Sequence, residues 1–144
     1  MIRSLQQQDI PWVVEQEQLI FGHSLGEPHY TTLFELGDLF GYVKDVEVLK
    51  GALICSKNGE HVQIENLFVL ETYRQRGIAR ELLTQCIQDA SATSIRYISL
   101  EVRVDLPFVI AWYESMEFKT VKRISNYYPD QTDAYFMVYE RSDT

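Results

Sequence analysis

The sequence has few of the residues and segments that mark disulfide-rich, disordered or membrane-spanning proteins. Only 2 of the 144 residues are cysteine, 4 are proline and 7 are glycine. A disulfide framework and a compositionally biased, disordered chain are therefore excluded. No apolar run is long enough to span a bilayer, and the opening residues MIRSLQQQDI lack a basic region followed by an apolar stretch. We therefore expect no membrane partner and a cytoplasmic location.

Basic residues are also few. The chain has 13 Lys and Arg against 21 Asp and Glu, which gives a formal charge of −8. An acidic protein is poorly suited to follow the phosphates of a nucleic acid and is better matched to a cationic partner such as an amine or a basic peptide. We therefore expect no nucleic-acid partner.

The residue types that bind metals or form redox pairs are sparse and scattered. Cys55 and Cys86 are far apart and both stand among apolar residues, which predicts two reduced thiols in the core. His23, His29 and His61 stand in polar, loop-like surroundings without a cysteine or a paired carboxylate at metal-ligand spacing. We therefore predict no metal site and assign these histidines no role.

The chain is rich in apolar and aromatic residues. Hydrophobic residues make up 46% of it, including seven Phe, nine Tyr and two Trp. This content is far too apolar for a disordered chain and is enough to build one core. We therefore predict a single domain over residues 1–144, acting as a monomer or a weak dimer.

Hydrophobic periodicity divides the chain into alternating strands and helices. The predicted strands are Met1 to Leu5, Leu39 to Lys44, Val46 to Ser56, Val62 to Leu70, Ile95 to Val102, Phe118 to Ile124 and Ala134 to Glu140. The predicted helices are one capped by Asp9, one from Tyr30 to Leu36, one from Ile78 to near Ser91, and one from Pro107 through Met116. The segment Lys57-Asn58-Gly59-Glu60 predicts a hairpin turn between the third and fourth strands. The order β-α-α-β-β-β-α-β-α-β-β predicts an α/β fold with a mixed sheet of about seven strands and about four helices.

A short basic turn precedes the third predicted helix. Arg74-Gln75-Arg76-Gly77-Ile78-Ala79 follows a strand and opens an amphipathic helix, where free backbone N–H groups and the helix dipole can bind an anion. Its glycine and alanine allow the backbone to approach a phosphate closely. Arg74, Arg76 and Arg80 place cations at a helix start, which is unfavourable unless an anion binds there. An ordinary helix start with a solvated basic turn is the alternative, and we favour the phosphate-binding interpretation.

Four segments carry a resemblance to a known superfamily. Arg-x-x-Gly-x-Ala, after a strand ending Asn66-Leu67-Phe68-Val69, resembles the acetyl-CoA motif of the GNAT superfamily. Leu100-Glu101-Val102-Arg103 and Trp112-Tyr113-Glu114-Ser115-Met116-Glu117-Phe118 resemble two further segments of that superfamily. Together with Asn126-Tyr127-Tyr128-Pro129, they make the chain similar to ribosomal-protein alanine N-acetyltransferases and, more distantly, to the catalytic subunits of eukaryotic N-terminal acetyltransferases.

The resemblance, clear from about Glu65 to Glu140, implies the GNAT fold and an acetyl-CoA-dependent activity. The implied reaction transfers an acetyl group to the N-terminal α-amine of a protein, with ribosomal proteins among the candidate partners. It would proceed directly in a ternary complex, because no activated cysteine lies near the proposed base. The implied cofactor-binding residues are Leu67, Phe68, Val69, Arg74, Gln75, Arg76, Gly77, Ile78, Ala79 and Arg80.

The resemblance also implies the chemical roles of two side chains. Glu101 matches a glutamate that deprotonates the amine through a water molecule, and Tyr113 matches a tyrosine that protonates the departing CoA thiolate. Chemistry agrees with both roles, because an α-ammonium has a pKa of about 8 and a thiol one of about 8.5. Tyr127 and Tyr128 would line the peptide groove.

From the residues alone, other interpretations of these side chains stay open. Glu101 alternates with apolar residues on a predicted strand and could simply face solvent. Tyr113 stands beside Trp112 on a predicted helix and could be a core aromatic. Tyr127 and Tyr128 could pack a loop rather than line a groove.

Two departures from the superfamily's pattern fall near the predicted site. Asp105-Leu106 stands where the superfamily usually has Ser-Asn. Asp105 can still cap the following helix, but Leu106 cannot make an asparagine's hydrogen bonds. Glu117 stands where a glycine is usual, which matters if the turn there requires a positive φ. The alternatives to N-terminal acetylation are therefore a lysine side chain, polyamine or other small amine as acceptor, and a non-catalytic acyl-CoA-binding regulatory module.

Overall fold

Seven strands and four helices make up the regular structure of the described chain. The computed structural model describes residues 1–46 and 48–141. The strands are β1 (Ile2–Ser4), β2 (Leu39–Val46), β3 (Val48–Asn58), β4 (His61–Val69), β5 (Tyr97–Arg103), β6 (Lys119–Ile124) and β7 (Ala134–Glu140). The helices are α1 (Ile10–Phe21), α2 (Glu27–Glu35), α3 (Ile78–Ser91) and α4 (Pro107–Ser115), and single 3₁₀ turns lie at Gln7–Asp9 and Glu71–Tyr73.

All seven strands belong to one mixed sheet with the spatial order β1-β2-β3-β4-β5-β7-β6. Every neighbouring pair is antiparallel except β4 and β5, which run parallel. The parallel pairing is short: it joins His61–Gln63 to Tyr97–Ser99 and extends no further along either described strand. Beyond it, β4 pairs only with β3 and β5 only with β7. The middle of the sheet is therefore open between the carboxyl-terminal halves of β4 and β5.

A β-bulge marks the place where β4 leaves β5. Ile54 of β3 pairs with Asn66, and the next residue, Cys55, pairs with Ile64. Glu65 is the extra residue, and such an insertion bends its strand and re-aims the side chains that follow.

Helices cover both faces of the sheet. On one face, Leu83 of α3, Ile98 of β5 and Tyr113 of α4 belong to one buried hydrophobic cluster. On the other face, residues of α1 and α2 such as Tyr30 form a second buried cluster with Phe68 of β4. The result is a three-layer α/β arrangement, because each helix has one apolar stripe to bury and the sheet has two faces to cover.

The predicted fold class and the order of the elements are confirmed, while several boundaries differ. The second helix begins at Glu27 rather than Tyr30, because Pro28 stands in the first turn, where its missing N–H is tolerated. The fifth strand begins at Tyr97 rather than Ile95. Both hairpin strands extend further than predicted, which leaves only residues 59 and 60 in the turn. The predicted third strand includes position 47 and the predicted domain includes residues 142–144, and these positions lie outside the described residues.

The predicted capping role of Asp9 is wrong. Asp9 stands directly before α1, but its side chain makes no hydrogen bond to the helix. Its carboxylate instead accepts the Gln6 N–H at 2.8 Å and two bonds from Arg3, at 2.8 and 2.9 Å. These bonds hold the pKa of Asp9 below its usual value even though burial opposes the shift. Asp9 therefore ties α1 to β1 rather than satisfying the start of its own helix.

The cysteine prediction is confirmed and the description of the histidines is partly wrong. Cys55 and Cys86 are free and buried. His29 lies in α2 and His61 opens β4, so these two do not stand in loops.

Within residues 1–46 and 48–141, no group of three or more potential metal ligands is found. The longest described helix, α3, has 14 residues, and no described helix has the length and apolarity of a bilayer span.

Candidate active site

A cleft of about 550 Å³ lies between the end of β4, the turn before α3, and α4. All the predicted cofactor-binding residues except Arg76 line it. The predicted catalytic residue Tyr113 also lines it, together with four residues that were not predicted as site residues: Tyr73, Phe108, Val109 and Trp112. Phe108 stands out among them, because its side chain is 90% exposed at the cleft.

The turn before α3 exposes unpaired backbone amides. Gln75 and Gly77 adopt left-handed backbone, with φ of +64° and +80°. Gly77 is the residue before the first helical turn, and no side chain caps the helix there. The N–H groups of residues 78–80 precede the first intrahelical donor, Glu81, which bonds to the Gly77 carbonyl at 3.0 Å. Three donors and the positive end of the α3 dipole therefore face the cleft region.

The arginines of this turn differ in what they contact. Arg74 donates its Nε–H to the Val69 carbonyl at 2.9 Å, which fastens the turn to the end of β4. The Arg76 guanidinium lies over the Tyr73 ring, 5.9 Å from its centroid. Arg74 and Arg80 line the cleft and Arg76 does not. Of the three predicted cations, two are therefore placed to contact a ligand in the cleft.

The end of β4 offers a free edge to the same cleft. Leu67, Phe68 and Val69 line it and pair with β3 on one side only, because the described pairing of β4 with β5 stops at Gln63. The Leu67 N–H lies 3.1 Å from the Asn66 side-chain oxygen, to which it donates. Backbone groups on an unpaired edge can hydrogen-bond an extended ligand as another strand would.

Tyr113 lies at the inner end of the cleft and is only 9% exposed. Its ring meets Trp112 and Phe118 edge to face, with centroids 5.0 and 5.6 Å apart. Burial raises its pKa well above the usual value for a tyrosine, and the proximity of Cys55 and Tyr128 adds to the shift. The phenol therefore stays protonated at neutral pH and can act only as a proton donor there.

Glu101 lies on the opposite sheet face. Its strand neighbours Leu100 and Val102 belong to the core cluster under α3, so alternation along β5 directs Glu101 to the side of α1 and α2. Its carboxylate accepts a hydrogen bond from the Gln63 amide at 2.5 Å. Burial raises its pKa, the Gln63 bond lowers it, nearby Glu65 raises it and Lys122 lowers it, with a net rise. A half-buried carboxylate of this kind is a stronger base than a solvated one.

Tyr127 and Tyr128 follow β6 and lie beside Glu101. Their rings meet edge to face with centroids 5.0 Å apart, and Tyr127 is 47% exposed. Burial raises the pKa of both, to about 12 for Tyr128, and the charge of Glu101 contributes to both shifts. Tyr128 also raises the pKa of Tyr113. Tyr128 is therefore close enough to interact with both predicted catalytic residues, across the opening between β4 and β5.

The loop that carries these tyrosines is fastened to β5 by one side chain. Arg103 donates to Asp130 at 2.7 Å and to Thr132 at 2.9 Å, and its guanidinium lies 5.1 Å from the centroid of the Tyr128 ring. Arg103 also pairs with Asp105 at 3.1 Å. The prediction that Asp105 caps α4 is therefore wrong, because its carboxylate is turned to Arg103, and Leu106 occupies the capping position without a side-chain bond.

The backbone at Glu117 shows that the turn where the superfamily usually has a glycine does require a positive φ. It adopts a φ of +71° in the turn between α4 and β6. This position therefore has the left-handed backbone that favours glycine, and the chain accommodates a glutamate in it at a conformational cost.

A buried polar cluster behind Glu101 was missed from the sequence. Glu17 of α1 is 1% exposed and accepts bonds from Tyr30 at 2.8 Å, Ser24 at 2.6 Å and Asn66 at 2.9 Å. The cluster ties α1 and α2 to the residue that follows the β4 bulge. One signal was available: position 17 continues the stripe of buried positions at 10 and 13, so a glutamate there required buried partners.

The chain is similar in sequence to known acetyltransferases. A sequence model described as the acetyltransferase (GNAT) family matches residues 3–118. An N-alpha-acetyltransferase of Saccharolobus solfataricus is 41% identical over 75 residues, or 51% of this chain and 45% of that protein. The N-alpha-acetyltransferase MAK3 of Arabidopsis thaliana is 34% identical over 90 residues, or 59% of this chain and 47% of that protein. The chain thus spans about half the length of these curated relatives.

The fold recurs in solved structures. The ribosomal-protein-S18-alanine N-acetyltransferase from Escherichia coli superposes with a TM-score of 0.87 at 25% identity, over 100% of this chain and 95% of that chain. Arabidopsis thaliana NAA60 in complex with acetyl-CoA superposes with a TM-score of 0.85 at 22% identity, over 97% of both chains. At that identity, the second likeness shows the fold alone.

Proposed function

Because the chain belongs to the acetyltransferase (GNAT) family, we propose that it transfers an acetyl group from acetyl-CoA to the N-terminal α-amine of a protein. The observation that carries the proposal is the opening between β4 and β5. An anion-binding helix start lies on one side of it, and a half-buried carboxylate lies on the other. Such a gap allows a ligand bound on one sheet face to present its reactive end to a second ligand on the other.

Acetyl-CoA would lie in the cleft beside β4 and supply the activated acetyl group as its thioester. The three free amides at the start of α3 suit the diphosphate, with Arg74 and Arg80 adding charge. The unpaired edge of residues 67–69 suits an extended amide chain such as pantetheine.

Glu101 would serve as the general base. An α-ammonium has a pKa of about 8, so most of it carries an extra proton at neutral pH and cannot attack a carbonyl carbon. Burial raises the pKa of Glu101 and so brings the basicity of its carboxylate closer to that of the amine. The amine proton would pass to Glu101, directly or through one water molecule.

Tyr113 would serve as the general acid. It lines the cleft and keeps its proton because burial raises its pKa. The thiolate that leaves when the C–S bond breaks would take the phenolic proton. Because the thiol's pKa of about 8.5 lies below that of the phenol, this transfer requires direct contact between the two groups.

The acceptor surface suits a cationic group. Glu65 and Glu101 both raise the pKa of Tyr127, so two carboxylates and a tyrosine lie within electrostatic range of one another. This arrangement favours an ammonium group over an anion. The names of the relatives favour an N-terminal amine among the possible ammonium groups, and that of the Escherichia coli structure names an alanine of a ribosomal protein. A ribosomal protein is therefore one candidate substrate.

An acceptor panel tests the proposal. Three acceptors are incubated with acetyl-CoA and analysed by mass spectrometry: a lysine-free peptide with a free α-amine, the same peptide with a blocked amine and one internal lysine, and a polyamine. We expect acetylation of the first alone. Acetylation of only the second or third acceptor would show that the protein is an acetyltransferase whose acceptor is a lysine side chain or a polyamine rather than an N-terminal amine. Tight binding of CoA without transfer to any acceptor would favour a non-catalytic module.

Two further proposals concern the location of the protein and its oligomeric state. We propose that the protein acts in the cytoplasm, and the two free, buried thiols are compatible with a reducing compartment. We also propose that it is a monomer or a weak dimer, which light scattering after size exclusion would measure.

A further inference from the structure

A row of three polar side chains runs along the junction of β4 and β5 and ends on Glu101. His61 Nε2 is hydrogen-bonded to Ser99 Oγ. Ser99 Oγ donates to Gln63 Oε1 at 2.5 Å, and Gln63 Nε2 donates to Glu101 Oε2 at 2.5 Å. The short parallel pairing aligns them, because Gln63 lies directly opposite Ser99. The row therefore occupies the last paired step of these strands before they separate.

The direction of each hydrogen bond follows from the groups involved. A carboxylate and an amide oxygen only accept, so Glu101 must receive an N–H of Gln63, and the Gln63 oxygen must receive the single hydroxyl hydrogen of Ser99. The Ser99 oxygen then accepts from His61, whose Nε2 carries hydrogen in both the protonated ring and one neutral tautomer. All the donors thus point towards Glu101.

This order fixes the orientation of the Gln63 amide. A free glutamine can rotate by half a turn and present its oxygen, which would repel the carboxylate. Ser99 is 0% exposed, so its hydroxyl has no solvent to bond instead. With His61 as the donor to Oγ, the single hydroxyl hydrogen can go only to the Gln63 oxygen, and leaving it unpaired is costly. The buried serine therefore holds the amide with its N–H groups towards Glu101.

We propose that Gln63 is a positioning residue for Glu101, and that Ser99 and His61 lock the orientation in which the Gln63 amide supports the carboxylate. Oε2 then accepts the Gln63 N–H, and the remaining lone pairs of the carboxylate can accept the amine proton or its bridging water. This inference rests on the proposed role of Glu101 as the base. The other charged or titratable groups around the Glu101 carboxylate are Glu65 of β4, Lys122 of β6, and Tyr127 and Tyr128 of the following loop.

The test measures Glu101 itself as well as catalysis. Its side-chain carboxyl carbon is titrated by ¹³C NMR, with Glu101→Gln identifying the signal. In Gln63→Leu, loss of the donor disfavours the ionised form, so the midpoint should rise by about one pH unit. The acid limb of kcat/KM should rise with it, because activity needs the ionised base. Ser99→Ala should move both in the same direction by a smaller amount.

Two variants of His61 separate the hydrogen-bond row from general damage to the fold. His61→Gln keeps an N–H donor and should leave the Glu101 midpoint unchanged, whereas His61→Leu removes the donor and should raise it slightly. Ser91→Ala, on the exposed surface of α3, is the control for an unrelated lost hydroxyl. Thermal unfolding of each variant identifies any that fail to fold.

The outcomes distinguish this inference from the proposed function. An unchanged Glu101 midpoint in folded Gln63→Leu and His61→Leu overturns the positioning role, whatever the activity. Full activity in Glu101→Gln overturns the base assignment, while the NMR titration still reports on the row. If Gln63→Leu raises the Glu101 NMR midpoint but leaves the acid limb of kcat/KM where it was, then Gln63 contacts Glu101 but Glu101 is not the base.

Discussion

The two sides of the opening between β4 and β5 are built in different ways. On the cofactor side, one nearly continuous stretch from Leu67 to Arg80 supplies most of the cleft, largely through backbone groups. On the acceptor side, the contributing residues come from α1, β4, β5 and the loop after β6, and they act through side chains. The comparison shows that a turn with free backbone amides can be encoded locally, whereas a cluster of titratable side chains requires the assembled sheet.

The largest effect is expected from a substitution that changes only the acceptor side. Glu101→Gln removes the base and should lower kcat by about 10²-fold or more, while the affinity for CoA stays unchanged because the cleft is on the other sheet face. On the cofactor side, Tyr113→Phe removes the proposed acid and should lower kcat by about 10²-fold as well. Steady-state kinetics and calorimetric titration with CoA measure the two quantities. A large loss of CoA affinity in Glu101→Gln would contradict the division between the two sides.

A second prediction concerns the cluster that supports the acceptor side from behind. Glu17→Ala leaves the buried donors of Tyr30 and Asn66 without their acceptor and should lower the free energy of unfolding by about 3 kcal/mol. Glu15→Ala, on the exposed side of the same helix, is the matched control and should cost little. Urea denaturation of both variants measures the difference. Equal stability of the two would show that the cluster contributes nothing.

A third prediction breaks the cofactor side alone. Gly77→Ala places a Cβ at a φ of +80°, beside the free amides of α3, and should raise the KM for acetyl-CoA about tenfold through strain and steric contact with the diphosphate. Gly37→Ala carries the same φ far from the cleft and should lower stability by a similar amount without changing KM. If both variants raise KM equally, the effect belongs to general destabilisation.

The smallest effect is predicted for Glu117, which belongs neither to the cofactor side nor to the acceptor side. Glu117 holds a left-handed backbone, so Glu117→Gly should raise the free energy of unfolding by about 0.5 to 1 kcal/mol without altering kinetics. Glu114→Gly, three residues earlier and in the last turn of α4, should have the opposite sign, because glycine loses more backbone entropy than glutamate when it becomes helical. Thermal unfolding of the pair measures both. A loss of stability in Glu117→Gly would mean that the glutamate side chain makes a contribution larger than the strain.

Local patterns predicted the elements well and their interactions less well. The helix after Gly77 and the strand from Ala134 to Glu140 were predicted with their observed bounds, because a stripe at helical spacing and a β-branched, aromatic run are local signals. The start of α2 was missed, because Pro28 ends one helix pattern as readily as it begins another. Asp9 was placed correctly but given the wrong partner, since Arg3 reaches it only after β1 joins the sheet.

There is a physical reason why some features follow from the sequence alone and others only from the tertiary structure. The sequence by itself determined the order of strands and helices and the glycine-containing turn before α3, because periodicity, turn residues and backbone freedom act over a few neighbouring residues. Only the tertiary structure decided that β4 and β5 part after Gln63, that Glu17 meets Asn66, and that a row from His61 ends on Glu101. These contacts join residues 38 and 49 positions apart, and burial makes their hydrogen bonds obligatory only once the layers have packed.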